Sequence, residues 1–274
     1  MTTAQGGWEL PISERELSRL TGDMDEAHHE TLPEMRASAA DLAEEIRARR
    51  SVEAVDNGRR RFLLGTGGAA AALVLAACSS SKTTSSGSSS PSAAGSSGSA
   101  GASASGQYTG DLKVVALATA LENQAVGAYK AALDAAAAGK LGTVPPAVAT
   151  FITTAMAQHA DHAKAWNAVL TGAGKPAITD VPLSNQPDTL AALGKATSVG
   201  DVAKLALQLE DQAAQTYLFA TYNVTSPAGI ATAATIAPVE AMHAAVLNYV
   251  LGQYPVPDDF LPVDKAASPT LLTV

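Results

Sequence analysis

The chain has 274 residues, which is room for one large or two ordinary domains, and its formal net charge is −8. Hydrophobic residues make up 47% of it but aromatic residues only 4%, a composition that favours closely packed helices over an aromatic-rich β-sandwich. The negative charge argues against a nucleic-acid-binding surface. The single cysteine excludes an intrachain disulfide framework and a cysteine-rich zinc or iron–sulfur site.

The basic residues divide the chain into two parts. Residues 1–77 contain nine arginines and no lysine, whereas residues 78–274 contain nine lysines and no arginine. We separate residues 1–58 as a charged N-terminal segment that we expect to lie outside the mature domain, with one helix over residues 33–50. His28 and His29 stand among acidic residues there. A solvated charged segment explains them better than a metal site does, and we assign the segment no function.

An export signal is predicted over residues 59–78. The pair Arg59 and Arg60 precedes an uncharged run over residues 62–77, and Cys78 follows directly. The arrangement resembles a twin-arginine signal that ends in a lipobox, with Cys78 as the residue to be lipidated. The run is 16 residues long, shorter than the about 20 residues of an ordinary membrane span and typical of the apolar region of a signal. We therefore expect an exported protein, anchored by lipid to the outer face of the cytoplasmic membrane.

A linker and a helical domain follow. Residues 79–107 are rich in serine and glycine, which predicts a flexible tether because such a stretch has little apolar surface to bury. We place the folded domain at residues 108–255 and a C-terminal tail at residues 256–274. Apolar residues at helical spacing predict four long helices and a short piece, at about 111–138, 146–171, 188–195, 199–222 and 227–252. Pro238 is expected to kink the last helix.

The predicted domain contains an internal repeat. Residues 121–129 share five of nine residues with residues 209–217, which lie 88 positions later. Residues 159–162 match residues 240–243, at an offset of 81. Two helical hairpins related by duplication and joined by a long connection predict an all-α fold, a four-helix bundle with one crossover.

In the part of the chain after Cys78, glutamate and histidine occur only in the repeated motifs. There are three of each: Glu122, Glu210 and Glu240, with His159, His162 and His243. Positions i and i+3 share one face of a helix, so Glu240 and His243 can reach one ion, and His159 and His162 can do the same. Glu122 and Glu210 would complete the shell and bridge two metals. Metal coordination removes the cost of burying a carboxylate, and carboxylate with imidazole suits iron or manganese, with zinc as an alternative.

Residues 111–252 resemble a ferritin-like domain of the di-iron carboxylate superfamily. Its motif is one Glu on each of two helices and Glu-x-x-His on each of the other two. Glu122, Glu210 and the pair Glu240/His243 match this motif, whereas His159 stands where the motif has Glu. Three carboxylates leave two divalent ions with a charge of about +1, unless a bridging hydroxide or oxide compensates. The sequence is therefore compatible with a site for one metal ion as well as with a site for two.

The resemblance implies a metal centre that oxidises iron or consumes oxygen or peroxide. A ferritin-like module without turnover, which binds a partner or holds metal, is the alternative, as is a bundle whose six polar residues satisfy one another without metal. Tyr129 and Tyr217 lie two turns beyond Glu122 and Glu210, where core packing is a simpler role than hydrogen bonding to a ligand or relaying electrons. Whether the protein is an enzyme, whether it forms a homo-oligomer and which protein partner it has stay open.

Overall fold

The computed structural model describes residues 9–75, 107–256 and 262–274, and for residues 52–75 it describes the backbone alone. The chain divides into two compact units, residues 1–45 with 104–274, and residues 46–103. Of the predicted export signal, Cys78 and the side chains of Arg59 and Arg60 lie outside the described residues. That prediction therefore remains a prediction.

The prediction of an all-α fold is confirmed. Across the described ranges no β-strand occurs, and a single turn of 3-10 helix lies at Pro269–Leu271. The α-helices there are α1 (Glu14–Leu75), α2 (Asp111–Ala137), α3 (Pro146–Gly172), α4 (Gln186–Lys195), α5 (Val199–Asn223) and α6 (Pro227–Val250). The helices of the bundle begin and end within two residues of the positions that the sequence predicted. α6 continues through Pro238 as one helix.

Local sequence explains where the bundle helices begin and end. The Ser198 side chain accepts a hydrogen bond from the backbone N of Asp201 at 3.1 Å, and Ser226 caps α6 in the same way. α3 and α6 begin with proline, whose missing N–H is not needed in the first turn. Just past the end of α2, Gly139 has a φ of 70°, a left-handed conformation that glycine adopts without steric cost.

The four long helices α2, α3, α5 and α6 form the bundle. α2 pairs with α3 and α5 pairs with α6 as helical hairpins, and the two hairpins meet where α2 lies beside α5. The crossover between α3 and α5 carries the short helix α4, which packs against α2. Alanine is frequent on the buried faces, so the backbones can approach closely, and a few large side chains such as Phe151, Leu170 and Ile236 are fully buried as well.

α6 is the most apolar helix of the bundle. Among the described residues it alone is long and apolar enough to cross a membrane, with a mean hydropathy of 1.4 over its best window, and 56% of that window is buried within the protein. A helix packed by neighbours on several sides needs apolar residues around most of its circumference. The first part of α1 and the helix α5 both lie against α6, so packing within the protein accounts for its composition.

The N-terminal segment departs most from the sequence analysis. We expected residues 1–58 to lie outside the mature domain and to contain one helix, over residues 33–50. In the structure the helix begins at Glu14, and residues 1–45 belong to the same compact unit as the bundle. The buried residues Leu17, Met24, Met35 and Leu42 lie on its inner side. At least two charged residues lie between each of them and the next, so the apolar stripe is inconspicuous in the sequence.

The segment after the bundle is also part of the folded unit. Ala267 is buried with Leu117, Leu121 and Leu183, and its backbone N donates to the Thr216 hydroxyl at 2.7 Å. Leu272 forms an isolated antiparallel bridge with Leu183 in the crossover connection. The last residues of the chain therefore fasten the crossover to α2 and α5.

Candidate metal centre

All six residues that the sequence singled out meet in the middle of the bundle. α2 and α5 each carry one glutamate, α3 carries two histidines and α6 carries a glutamate and a histidine. None is more than 2% exposed: Glu122, His159, His162, Glu210, Glu240 and His243. Ionisable side chains are rarely buried so completely unless they are paired or bind a metal.

The six residues form two overlapping groups, in each of which four ligand atoms lie within 4.8 Å of one another. We call them the first site, formed by Glu122, His159, His162 and Glu240, and the second site, formed by His159, Glu210, Glu240 and His243. His159 and Glu240 belong to both. The sequence analysis gave the bridging position to Glu122 and Glu210, but the structure places these two at opposite ends, one in each site.

His159 joins the two sites through its two ring nitrogens. Its Nδ1 lies 2.7 Å from Oε2 of Glu122 in the first site, and its Nε2 lies 3.1 Å from Oε1 of Glu210 in the second. The residue that departs from the superfamily motif therefore occupies the centre of the arrangement. An imidazole contributes no negative charge there, so the two sites share only three carboxylates.

Two facing polar atoms of the first site lie close together without forming a hydrogen bond. Nδ1 of His162 and Oε1 of Glu240 are 2.8 Å apart, yet neither atom makes a hydrogen bond, and both are buried. Two buried atoms that close, without hydrogen-bond geometry, are placed as two ligands of one ion would be. Unpaired buried polar groups are costly, whereas carboxylate oxygen and imidazole nitrogen both coordinate iron, manganese and zinc. The residues present therefore fit a bound metal ion.

Two tyrosines hold the outer glutamates in a crossed pattern. Tyr129 on α2 donates to Oε1 of Glu210 on α5, and Tyr217 on α5 donates to Oε1 of Glu122 on α2. Trp166 in turn donates from Nε1 to the Tyr217 hydroxyl at 2.8 Å. Burial and the neighbouring carboxylates raise the pKa of both tyrosines well above its ordinary value, so they remain hydrogen-bond donors. The sequence analysis favoured a packing role, and the structure adds direct hydrogen bonds to two candidate ligands.

The charges of the centre stabilise one another. Burial alone would lower the pKa of His159, but the Glu240 and Glu210 carboxylates raise it well above its ordinary value. For His162 burial is likewise outweighed by Glu122, and the pKa rises to about 9. Burial alone would raise the pKa of Glu210, yet the neighbouring imidazoles lower it well below its ordinary value. A metal ion must displace protons from these imidazoles, so binding releases protons.

Comparison with known proteins gives one match. A family model described as a ferritin-like domain matches residues 107–253, more than half of the chain. The chain belongs to this ferritin-like family. The matched range contains α2 to α6 and all six residues of the candidate metal centre, whereas α1 lies outside it. No curated protein and no solved structure matches the chain.

Gln158 is the polar residue at the centre that the sequence analysis did not single out. It is 2% exposed, and its Oε1 lies 2.8 Å from Nε2 of His243. Its position directly before His159 on a buried helix face was the only signal in the sequence. Glutamine is common elsewhere in the chain, so composition does not mark it as it marks glutamate and histidine.

Proposed function

We propose that this ferritin-like protein binds iron or manganese at the two overlapping sites and uses the metal to oxidise iron or to reduce oxygen or peroxide. The observation that supports this best is the convergence of three glutamates and three histidines, all buried, on two groups of ligand atoms. Metal bound there would supply the redox chemistry. The chain itself would hold the metal through carboxylates and imidazoles and orient the outer carboxylates through Tyr129 and Tyr217.

The charge of the centre suits either one or two metal ions. With three carboxylates, one divalent ion leaves a net charge of about −1 and two leave about +1, so a hydroxide or oxide would have to accompany the second ion. Zinc, which has no redox chemistry, would bind to the same ligand types. The experiment is elemental analysis of the purified full-length chain, followed by addition of oxygen or peroxide to the iron-loaded protein. About one or two iron or manganese ions per chain and an oxidant-dependent spectral change are expected.

A second candidate is a metal-holding module without turnover. The complete burial of all six residues favours it, since an enzyme needs a route for its oxidant. The two candidates differ in one measurement. Metal that is retained but whose spectrum does not respond to oxygen or peroxide supports the holding function, whereas absence of metal from the purified protein after supply of iron, manganese and zinc contradicts both.

We also propose that the protein is exported by the twin-arginine route and anchored through lipidated Cys78. The pair Arg59 and Arg60, the uncharged run and the cysteine at its end support this. Twin-arginine export moves folded proteins, which suits a domain that receives its metal before export. Replacing Cys78 with Ala should release the protein from the membrane fraction or leave the signal uncut. An unchanged mass and unchanged membrane association would contradict the lipid anchor.

A further inference from the structure

The N-terminal part of α1 lies in the groove between α3 and α6, the two helices that carry the histidines. Along α3 it runs parallel: Glu14 accepts from the backbone N of Ala147 at 3.3 Å, and Asp25 accepts from Gln158 at 3.0 Å. Along α6 it runs antiparallel, with the Thr232 hydroxyl donating to Ser38 at 2.8 Å. The helix therefore follows the whole length of this groove.

The fit between α1 and its neighbours is close. Leu17 and Met24 share one core cluster with Phe151 of α3 and Leu247 of α6. Near the other end, a Cβ added to Gly172 of α3 would lie 2.7 Å from the Cβ of Ala43, so glycine is required where the two backbones meet. Packing as close as this is typical of the interior of a folded protein.

A chain of hydrogen bonds runs from α1 to the second site. The amide nitrogen of Gln158 donates to Oδ1 of Asp25 at 3.0 Å, so the remaining amide atom, Oε1, can only accept. It lies 2.8 Å from Nε2 of His243, which must therefore carry the proton. In the neutral ring the free electron pair is then on Nδ1, which faces the second site 3.2 Å from Oε2 of Glu210. Hydrogen bonds of this kind fix the tautomer of metal-binding histidines.

α1 also covers the first site. The ring of His28 lies against the ring of His162, with centroids 5.2 Å apart, and is 2% exposed. Its Nε2 is 3.6 Å from a carboxylate oxygen of Asp161, whose other oxygen accepts from Arg36 at 3.1 Å. These contacts close the side of the centre that α3 and α6 would otherwise leave open.

We propose that the N-terminal helix, residues 14–45, is a working part of the metal centre, in which Asp25 positions His243 through Gln158 and the helix covers both sites. This inference rests on the metal binding proposed above. It gives a role to a segment outside the part of the chain that matches the ferritin-like family. The role belongs to the uncut chain, in which the metal is received before export. Cutting before Cys78, as the lipid anchor proposed above requires, would remove Asp25 and the covering helix together with the signal.

The first test is the zinc affinity of the full-length chain and of variants at Asp25. Asp25→Ala removes the acceptor for Gln158 and should weaken zinc binding by about 10- to 100-fold. Asp25→Asn keeps an oxygen acceptor and should therefore retain most of the wild-type zinc affinity. Asp23→Ala is the matched control, because Asp23 is exposed and pairs with Arg19 on the same helix.

The ring ¹⁵N resonances of His243 in the zinc-loaded protein separate positioning from general damage. In the wild type Nδ1 should bind zinc and Nε2 should carry the proton, and Asp25→Ala should populate the other arrangement. An affinity within about twofold of wild type, or an unchanged tautomer of His243, would overturn the role of Asp25.

The second test measures the covering role. The double variant Leu17→Asp, Met24→Asp should detach the helix, and Glu16→Gln with Asp23→Asn on the exposed side is its control. Detachment should speed amide hydrogen exchange in α3 and α6 and should speed removal of zinc by a chelator at least about 10-fold. Faster exchange with an unchanged rate of zinc removal would overturn the covering role, and unchanged exchange would overturn the docking itself.

The two proposals fail in different ways. If the wild-type chain takes up no zinc, iron or manganese, the proposed function is wrong, while hydrogen exchange still reports whether α1 is docked. If the wild type binds zinc and the Asp25 and Leu17/Met24 variants bind and release it at the wild-type rate, only the role of α1 is wrong. The Asp25 variants also keep the test valid if the double variant does not fold.

Discussion

At the scale of single residues, the centre depends on a few side chains that serve both candidate sites. Glu240 approaches His162 at 2.8 Å in the first site and His243 at 3.3 Å in the second, and both of its oxygens are buried without a hydrogen bond. A residue placed in this way affects both sites when it is changed. Glu122 and Glu210, each in one site and each held by a tyrosine, affect one site only.

Replacing Glu240 with Ala should therefore abolish metal binding at both sites. The change removes the only carboxylate that the two sites share and leaves two carboxylates among three imidazoles. The expected result is loss of nearly all metal by elemental analysis, with a helical circular dichroism spectrum like that of wild type. Glu122→Ala is the comparison and should retain part of the metal. Equal metal content in wild type and Glu240→Ala would contradict the proposed ligand set.

Replacing His159 with Glu tests the residue that departs from the family motif. A fourth carboxylate balances the charge of two divalent ions, so the variant should bind two metals at least as well as wild type. Without metal, four carboxylates share the centre with only two histidines, and like charges disfavour ionisation and folding. The metal-free variant should therefore melt below the metal-free wild type. A variant that binds no metal would show that the His159 ring is itself required.

At the scale of elements, turns fix how the helices meet at the centre. The Asp111 carboxylate at the start of α2 accepts from the backbone N of Thr225 and of Ser226, each at 3.0 Å. It therefore holds the turn between α5 and α6 against the opposite hairpin. Each hairpin carries half of the centre, so this link helps to bring the halves together.

Removing this link should destabilise the bundle without touching a ligand. Asp111→Ala leaves two backbone N–H groups without their charged acceptor, one of them buried, and should lower the free energy of unfolding by about 2 kcal/mol. Denaturant unfolding measures the change. Asp134→Ala is the control, because Asp134 is exposed and pairs only with Lys130 along the helix; it should cost no more than about 0.5 kcal/mol. Equal effects of the two variants would contradict the linking role.

At the scale of the whole molecule, metal binding and folding are coupled, because the ligands come from four helices and meet only in the folded bundle. Metal added at 100 times its dissociation constant stabilises the folded chain by about 2.7 kcal/mol. For a domain of this size that raises the melting temperature by roughly 5–10 °C.

Melting curves of the full-length chain with and without iron, manganese or zinc measure this coupling. Wild type should melt higher with metal, and Glu240→Ala should lose most of the difference. Removing the metal with a chelator should return wild type to its metal-free melting temperature. Identical melting with and without every metal would mean that the six polar residues satisfy one another and that the bundle holds none.

Much of the domain was predictable because its pattern is local or repeated. Apolar residues three and four positions apart indicate a helix, and the capping residues lie directly before the helices that they begin. The duplication related Glu122 to Glu210 and His162 to His243 before any coordinates were needed. Glutamate and histidine were also absent from the rest of the predicted domain, so composition alone separated the candidate ligands from surface residues.

Tertiary structure decided what depends on contacts between distant segments. The sharing of His159 and Glu240 by both sites depends on how four helices rotate about their axes, which helical spacing does not fix. The crossed hydrogen bonds of Tyr129 and Tyr217 follow from the approach of α2 to α5. Above all, the docking of residues 14–45 was hidden, because charged residues interrupt the apolar stripe of that helix and because the groove that receives it exists only once the four bundle helices have assembled.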